Sequence, residues 1–463
     1  MLFHTWTFLL FFVVAFAGYF ALRGTRLWTP WLLLASYFFY GWWNPYYLLL
    51  IVYSTALDFV AVALMDRSFP RRRRLWLIVS IINNLSLLAF FKYSNFFIEN
   101  LNAMFGLQFP EAGRMMPFGL EFLLPVGISF YTFQSMSYTI DFYRGQIERE
   151  RNFVRFATFV SFFPQLVAGP IERSKNLLPQ FLRAPAITPR HLTDGASLFL
   201  VGLFKKVALS NYLALYVERI YDAPANHGSA ALILATFCFA WQIYFDFSGY
   251  TDMARGVARM MGFNLMLNFN HPYLATGLGD FWGRWHISLS TWFRDYLYLP
   301  LGGNRRGALI TYRNLLIVFL VSGLWHGAAW HFIVWGALHA LGIVVTRALE
   351  RSAWYRERFP VWAKRAWVFV FVCFAWIFFR AETIGDAWLI VSRIFSGIWE
   401  DPACPFLMLG LVGAGWAYQF ASNSPATRAL LSASPVKVAT ATTMIIYLVF
   451  CSTGGGEFIY FQF

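Results

Sequence analysis

The sequence predicts an all-helical, polytopic membrane protein, and three observations carry that expectation. Of 463 residues, 59% are hydrophobic, 21% aromatic and only 13% charged, against about 25% charged in an ordinary globular chain. The apolar residues fall into runs of roughly 17–25, the length at which a helix crosses hydrocarbon. The basic residues, which give a formal net charge of +14, gather in alternate loops between those runs, as the positive-inside rule expects. In a soluble chain this charge would suggest nucleic acid. Here it belongs to loops facing anionic lipid and gives no reason to expect a nucleic-acid partner.

The runs lie at 2–22, 27–43, 46–65, 75–91, 118–143, 192–218, 229–248, 308–325, 329–348, 366–380, 404–422 and 438–454. They predict about twelve transmembrane or re-entrant helices in a single integral-membrane domain over 1–463. The first run lacks a basic n-region and a cleavage site, so it is expected to be a retained helix and not a signal peptide. Asn44-Pro45 is the turn between the second and third runs. The stretch 154–171 is apolar but interrupted by Pro164, Gly169 and Pro170. It reads as re-entrant, which a bilayer tolerates only where the irregular backbone is buried in protein or lines a wet cavity.

Sidedness follows from the loops. Arg23 and Arg26, the run Arg71 to Arg74, and the segments 144–152, 173–190, 284–313 and 351–365 are basic or charge-rich and fall on one side. The opposite loops, 44–45, 219–228 and 381–386, carry little positive charge. The loop 92–117 is mixed, with Lys92 and Arg114. The result is a multi-pass chain with both termini extracytoplasmic, which places the aromatic ending 456–463, "GEFIYFQF", outside. No internal repeat or low-complexity tract is visible. Cys238, Cys373, Cys404 and Cys451 have neither metal nor redox spacing.

Two constellations stand out among the polar residues. His326 lies in "VSGLWHGAAWHFIVWGALHA", flanked by Gly323 and Gly327, with no acidic residue between Asp295 and Glu350. Ionisable groups at membrane depth are costly and mark functional paths, and imidazole exchanges protons near neutral pH. The alternative is a core histidine bonded to a carbonyl. His339, in the same run, approaches His326 only if the helix breaks near Gly327. There is no HExxH pattern and no nearby carboxylate, so no metal site is expected.

The second constellation is "DFWGRWHISLSTWFRDYLYLPLGG", 280–303. Trp285, Leu289, Trp292, Phe293 and Tyr296 form one face of a helix, and His286, Ser290 and Arg294 form another. This predicts an amphipathic helix at the inner interface, whose polar face either is simply solvated or meets a substrate. Asp246, Ser248 and Asp252 in "YFDFSGYTDMARG", and Asp141 with Arg144, sit at inner ends of spans, where buried carboxylates need cationic partners.

These motifs, with "LPVGISFYTFQSMSY", "FPQLVAGPIER" and "NFNHPY", resemble the membrane-bound O-acyltransferase family, in its bacterial branch of alginate O-acetyltransferases and the teichoic-acid D-alanyl transfer protein. The resemblance runs over most of the chain. It implies a ring of tilted helices around a thin centre, with His326 of "LWHG" as the essential histidine and His286 of "RWHISLS" as a second one near the acyl donor. Trp325, Ser290, Arg294 and Asp246 are then expected to line the substrate path, and His331 to be packing. "FIYFQF" resembles an ending in which a tyrosine is implicated as an acyl carrier, so Tyr460 is a candidate third catalytic residue. A phenol (pKa about 10) is closer to a thiol (about 8.5) in leaving ability than a sugar hydroxyl is; an aromatic interface anchor is the plainer role.

The implied activity is transfer of an acetyl group from a cytoplasmic thioester, acetyl-CoA, across the inner membrane to an envelope or extracellular polysaccharide such as alginate. An extracytoplasmic SGNH-type transferase would be the partner, and no bound cofactor is implied. Direct transfer to the glycan without a tyrosine carrier, and a transporter or flippase with a histidine proton relay, are the alternatives.

Overall fold

The computed structural model describes residues 1–115, 122–397, 399–404 and 406–451, and within them the regular structure is helical, with no strand. Tyr460 and the rest of the aromatic ending lie outside the described residues. Seven helical runs are long and apolar enough to cross a bilayer: Pro45–Asp66, Pro70–Phe105, Pro189–Tyr221, Ser229–Met260, Ala308–His326, Trp330–Leu349 and Val361–Arg380. Pro425–Ser432 and Ser434–Phe450, bent by 70°, read as an eighth. The other expected spans appear as shorter helices: α1 (Trp6–Leu22), α2 (Trp28–Gly41), and, further along, Ile128–Tyr143 and Phe406–Asn423. The chain groups into two compact units, 1–199 with 254–266, and 200–253 with 267–463.

In the first unit α3 (Leu48–Asp66) and α4 (Pro70–Phe105) bury Ser54, Thr55, Asp58, Ser80 and Asn84 and expose part of their apolar residues. Leu49 and Val60 of α3 and Ile82 of α4 are exposed, as lipid-facing side chains are. Buried Asp58 accepts from Ser80 Oγ at 2.6 Å and from Asn84 Nδ2 at 2.9 and 3.0 Å. It also accepts from the hydroxyl of Ser135 on α5 (Ile128–Tyr143). One carboxylate thus joins three helices, and its oxygens are satisfied as a low-dielectric interior demands.

α4 is longer than hydropathy suggests. The segment to Phe105, expected as part of a loop, is helical because nothing between Pro70 and Phe105 breaks it. Pro70 occupies the first turn, and Gly106, at φ 65°, ends the helix in the left-handed conformation glycine favours. The predicted re-entrant stretch opens as α6 (Phe153–Ser161) and continues irregularly to α7 (Ser174–Leu177); residues 156–174 are all buried. This meets the condition under which irregular backbone survives in a membrane.

The second unit contains most of the run from α8 (Pro189–Phe204) through α9 (Asn211–Tyr221) to α10 (Ser229–Met260), followed by short α11 (Leu278–Trp282) and α12 (Ile287–Phe293). Next come α13 (Ala308–His326), α14 (Trp330–Leu349), α15 (Val361–Arg380), α16 (Ile384–Phe395), α17 (Phe406–Asn423), α18 (Pro425–Ser432) and α19 (Ser434–Phe450). α13 and α14 form a hairpin pressed together at glycines. A Cβ on Gly323 would stand 2.2 Å from Phe332 O, and one on Gly336 would stand 2.2 Å from Phe319 O. Small residues at such crossings let two membrane helices pack backbone to backbone. This close approach sets where His326 sits.

The expected single amphipathic helix over 280–303 is broken. α11 ends at Trp282, His286 takes φ 43°, α12 starts at Ile287, and a π-helical turn covers Arg294–Tyr298. The turn at 283–286 exists because segment 268–270 pairs with it: Ile287 N donates to Asn268 O and Asn270 N to Arg284 O, each at 2.9 Å. His286 therefore precedes α12 and does not share a helix face with Ser290 and Arg294.

Candidate active site

The site is built on the α13–α14 hairpin. His326 is the last residue of α13; the backbone turns extended at Gly327, and α14 begins three residues later. The break near Gly327 that the approach of His326 and His339 requires is therefore present. Five rings follow one another through the second unit. His286 and Trp325 have centroids 6.1 Å apart, Trp325 and His326 5.0 Å, His326 and Trp335 5.1 Å, and Trp335 and His339 4.9 Å. Each pair is edge-to-face, the arrangement that aligns a positive ring edge with a negative face. Phe379 closes the His326 side at 5.3 Å. His326 is 4% exposed, Trp325 3% and His286 0%.

His286 is oriented from outside α12. Its Nδ1 lies 3.1 Å from Asn268 Oδ1, which also accepts from Ser288 N and Ser288 Oγ at 3.2 and 2.9 Å. With Asn268 oxygen as acceptor, His286 carries its proton on Nδ1, and Nε2 holds the lone pair. Burial pushes this imidazole down to about 3, so it is neutral at physiological pH. It suits orienting or hydrogen-bonding a reactant better than holding a proton. His326 ends α13 beside the chain break, between the indoles of Trp325 and Trp335.

The other predicted site residues are placed as follows. Asp246 is buried and forms an ion pair with Lys206 at 2.5 Å. Lys205 pairs with Asp252 at 2.7 Å. These are the cationic partners that buried carboxylates need, supplied by the π-helical turn Lys205–Ser210 between α8 and α9. Ser290 Oγ donates to Trp285 O at 3.1 Å. Arg294 is largely exposed, with its Nε 2.8 Å from Asp295 Oδ1. His331 Nδ1 lies 2.9 Å from Phe378 O, a structural anchor. No cluster of three or more His, Cys, Asp or Glu side chains suited to a metal occurs among the described residues.

Asn268, which orients His286, carries no sequence signal of its own, and His339 was singled out only for sharing the run of His326. His339 is 0% exposed and surrounded by Trp282, Phe319, Trp335 and Phe371, and neither ring nitrogen has a hydrogen-bond partner among the described residues. An unpartnered buried polar group costs about 1–3 kcal/mol. His339→Phe fills the same aromatic box without that cost, so its thermal midpoint in detergent should rise above that of the unsubstituted protein. A fall would show that a nitrogen makes a stabilising polar contact.

The fold and these rings define a multi-pass helical membrane protein that buries ionisable imidazoles between indoles beside a helix break. The membrane-bound O-acyltransferase family model matches residues 82–384. A probable alginate O-acetylase of Pseudomonas aeruginosa is 41% identical over 409 residues, covering 86% of this chain and 76% of the relative. A peptidoglycan O-acetyltransferase of Helicobacter pylori is 39% identical over 422 residues, 84% of this chain and 78% of the relative. A teichoic acid D-alanyltransferase of Streptococcus thermophilus is 28% identical over 246 residues, 50% of this chain and 58% of the relative. The chain belongs to the membrane-bound O-acyltransferase family, and it is a polytopic membrane enzyme that transfers acyl groups to oxygen.

Proposed function

We propose that this enzyme moves acetyl groups from a cytoplasmic thioester, acetyl-CoA, across the bacterial inner membrane for O-acetylation of an envelope or extracellular polysaccharide such as alginate. The observation that carries the proposal is likeness over more than four fifths of the chain to proteins named for acetylating alginate and peptidoglycan. The ring row from His286 to His326 supports it, because it supplies a buried base and an orienting imidazole along one path. Both termini are extracytoplasmic in this proposal, and 456–463 faces outward.

The chemistry balances with the residues present in the chain. His326 takes the proton of the Tyr460 hydroxyl as the phenolic oxygen attacks the thioester carbonyl. The tetrahedral intermediate collapses, the C–S bond breaks, and the protonated imidazole returns its proton to the departing sulfur. The products are a free thiol and an acetyl ester of Tyr460. An aryl ester keeps most of the transfer potential of the thioester, because phenol and thiol are similar leaving groups (pKa about 10 and about 8.5). A polysaccharide hydroxyl then displaces the phenol on a separate extracytoplasmic transferase of the SGNH type. Trp325 and His286 hold the donor's reacting end.

Deletion of the chain tests acylation against export. Polymer should still leave the cell but without ester-linked acetyl, and reintroduced wild-type chain should restore it. Normal acetyl content with lost export would instead establish a transporter.

A further inference from the structure

A second cluster in the same unit lies where α17 ends, against the segment that follows Asn268 in the chain. Segment 268–270 pairs with residues 284–287 through the backbone bonds described above. The next residue, His271, is held at φ 47°, a conformation that costs a non-glycine residue of order 1–3 kcal/mol. Its Nε2 lies 3.2 Å from Ser422 Oγ. Three guanidinium groups gather on these two segments. Arg428 Nε donates to Ser422 O at 2.9 Å, Arg365 Nε to Leu274 O at 3.2 Å, and Arg284 Nη1 to Asn270 O at 3.4 Å. Arg365 also lies over the Phe420 ring, 5.5 Å from its centroid.

The charges do not cancel. Arg284 pairs with Asp280 and Lys205 with Asp252, but neither Arg365 nor Arg428 has a carboxylate partner among the described residues. Each uses only Nε on a backbone oxygen, which fixes the plane of the fork and leaves its two terminal amino groups for another acceptor. Burial, then the charges of Lys205, Arg284 and Arg428, hold the His271 imidazole below its ordinary value. The cluster thus presents net positive charge around a neutral imidazole, with its guanidinium planes set by the fold. That is the chemistry that recognises phosphate.

We propose that Arg365 and Arg428, with His271 and Arg284 beside them, form a phosphate-binding subsite for the diphosphate of the acyl donor. The proposal rests on the function proposed above, in which this end of the unit is cytoplasmic. It adds a direction to the donor: phosphates at Arg365 and Arg428, and the thioester arm running past Asn268 and His286 toward Trp325. The same phosphate chemistry is available from an anionic lipid headgroup, and the test separates the two.

The full chain is purified in nanodiscs of phosphatidylcholine alone, or with phosphatidylglycerol added, as wild type and as Arg365→Gln/Arg428→Gln. In both lipids the double variant should raise the KM for acetyl-CoA and weaken inorganic pyrophosphate binding, by about tenfold or more for two lost charge-assisted contacts. Its kcat should stay within about twofold, since only uniform binding is removed. Unchanged KM and unchanged pyrophosphate affinity overturn the proposal, as does an effect present only with phosphatidylglycerol. If the wild type does not turn over acetyl-CoA yet loses pyrophosphate binding on substitution, the subsite stands and the choice of donor fails. Should the double variant not assemble, Arg428→Gln, at an exposed position, decides by the same two readouts.

Discussion

Replacement of His326 by alanine is expected to stop acyl transfer while leaving the protein in the membrane. The imidazole is the last residue of α13 and is held between Trp325 and Trp335. Removing a positioned general base costs about 10²–10⁴ in rate. The acceptor hydroxyl then has no group to take its proton, and an un-ionised phenol or sugar hydroxyl is a poor nucleophile. Ester-linked acetyl on the polymer should fall to background in cells that carry the variant at normal abundance. His326→Gln is the stricter version, because it keeps a polar side chain at the edge of the two indoles. Gln preserves hydrogen bonding but cannot accept a proton at neutral pH, so it should be as inactive as Ala if the residue is a base. Substantial activity in the glutamine variant would make His326 a positioning group. The base would then have to be sought elsewhere along the row.

Tyr460→Phe is expected to have a comparably large effect on the polymer for a different reason. The substitution removes one oxygen and keeps the aromatic ring, so any anchoring of the ending at the membrane interface is retained. If the acetyl group travels on that oxygen, polymer acetylation should fall by about 10² or more, as for the loss of a covalent nucleophile. Mass analysis of the C-terminal peptide from wild-type protein, prepared without the extracytoplasmic partner, should show an added acetyl group. The Phe variant should show none. Normal polymer acetylation by Tyr460→Phe would mean that the acetyl group passes directly from donor to glycan. His326 would then take the proton of the glycan hydroxyl in place of that of Tyr460.

The fold was legible where physics acts locally. Runs of apolar residues gave most of the helices, since a backbone in hydrocarbon must bond internally. Proline and glycine at 164–170 marked the irregular stretch that is buried in the structure. The extension of α4 was hidden because Lys92, Asn95 and Asn100 lower hydropathy without ending a helix; only Gly106, with its positive φ, does that. The 280–303 segment misled in the opposite sense. Its i, i+4 periodicity continues through Gly283 and His286, while the break is imposed by a partner segment some fifteen residues earlier.

The candidate site was legible in its histidines and less so in their surroundings. His326 stood out as an ionisable group in a long apolar run, and the glycines beside it announced the close helix contact. That Trp325 and Trp335 separate three imidazoles depends on the hairpin geometry, which spacing alone does not give. Lys206 as the partner of Asp246 depends on two helices meeting, and a Cβ on Gly202 would stand 2.5 Å from Gly249 O. Asn268 carries no motif of its own; its role comes from the segment that pairs with residues 284–287.

The central claim is that acyl groups cross the membrane through this protein by way of His326. Sealed vesicles holding the full chain in one orientation, with labelled acetyl-CoA enclosed and the partner transferase and polysaccharide outside, test it most directly. Wild-type vesicles should place label on the external polysaccharide while the enclosed donor loses it, and His326→Ala vesicles should place none. Equal external labelling with His326→Ala, or labelling only when donor is supplied outside, would contradict the account.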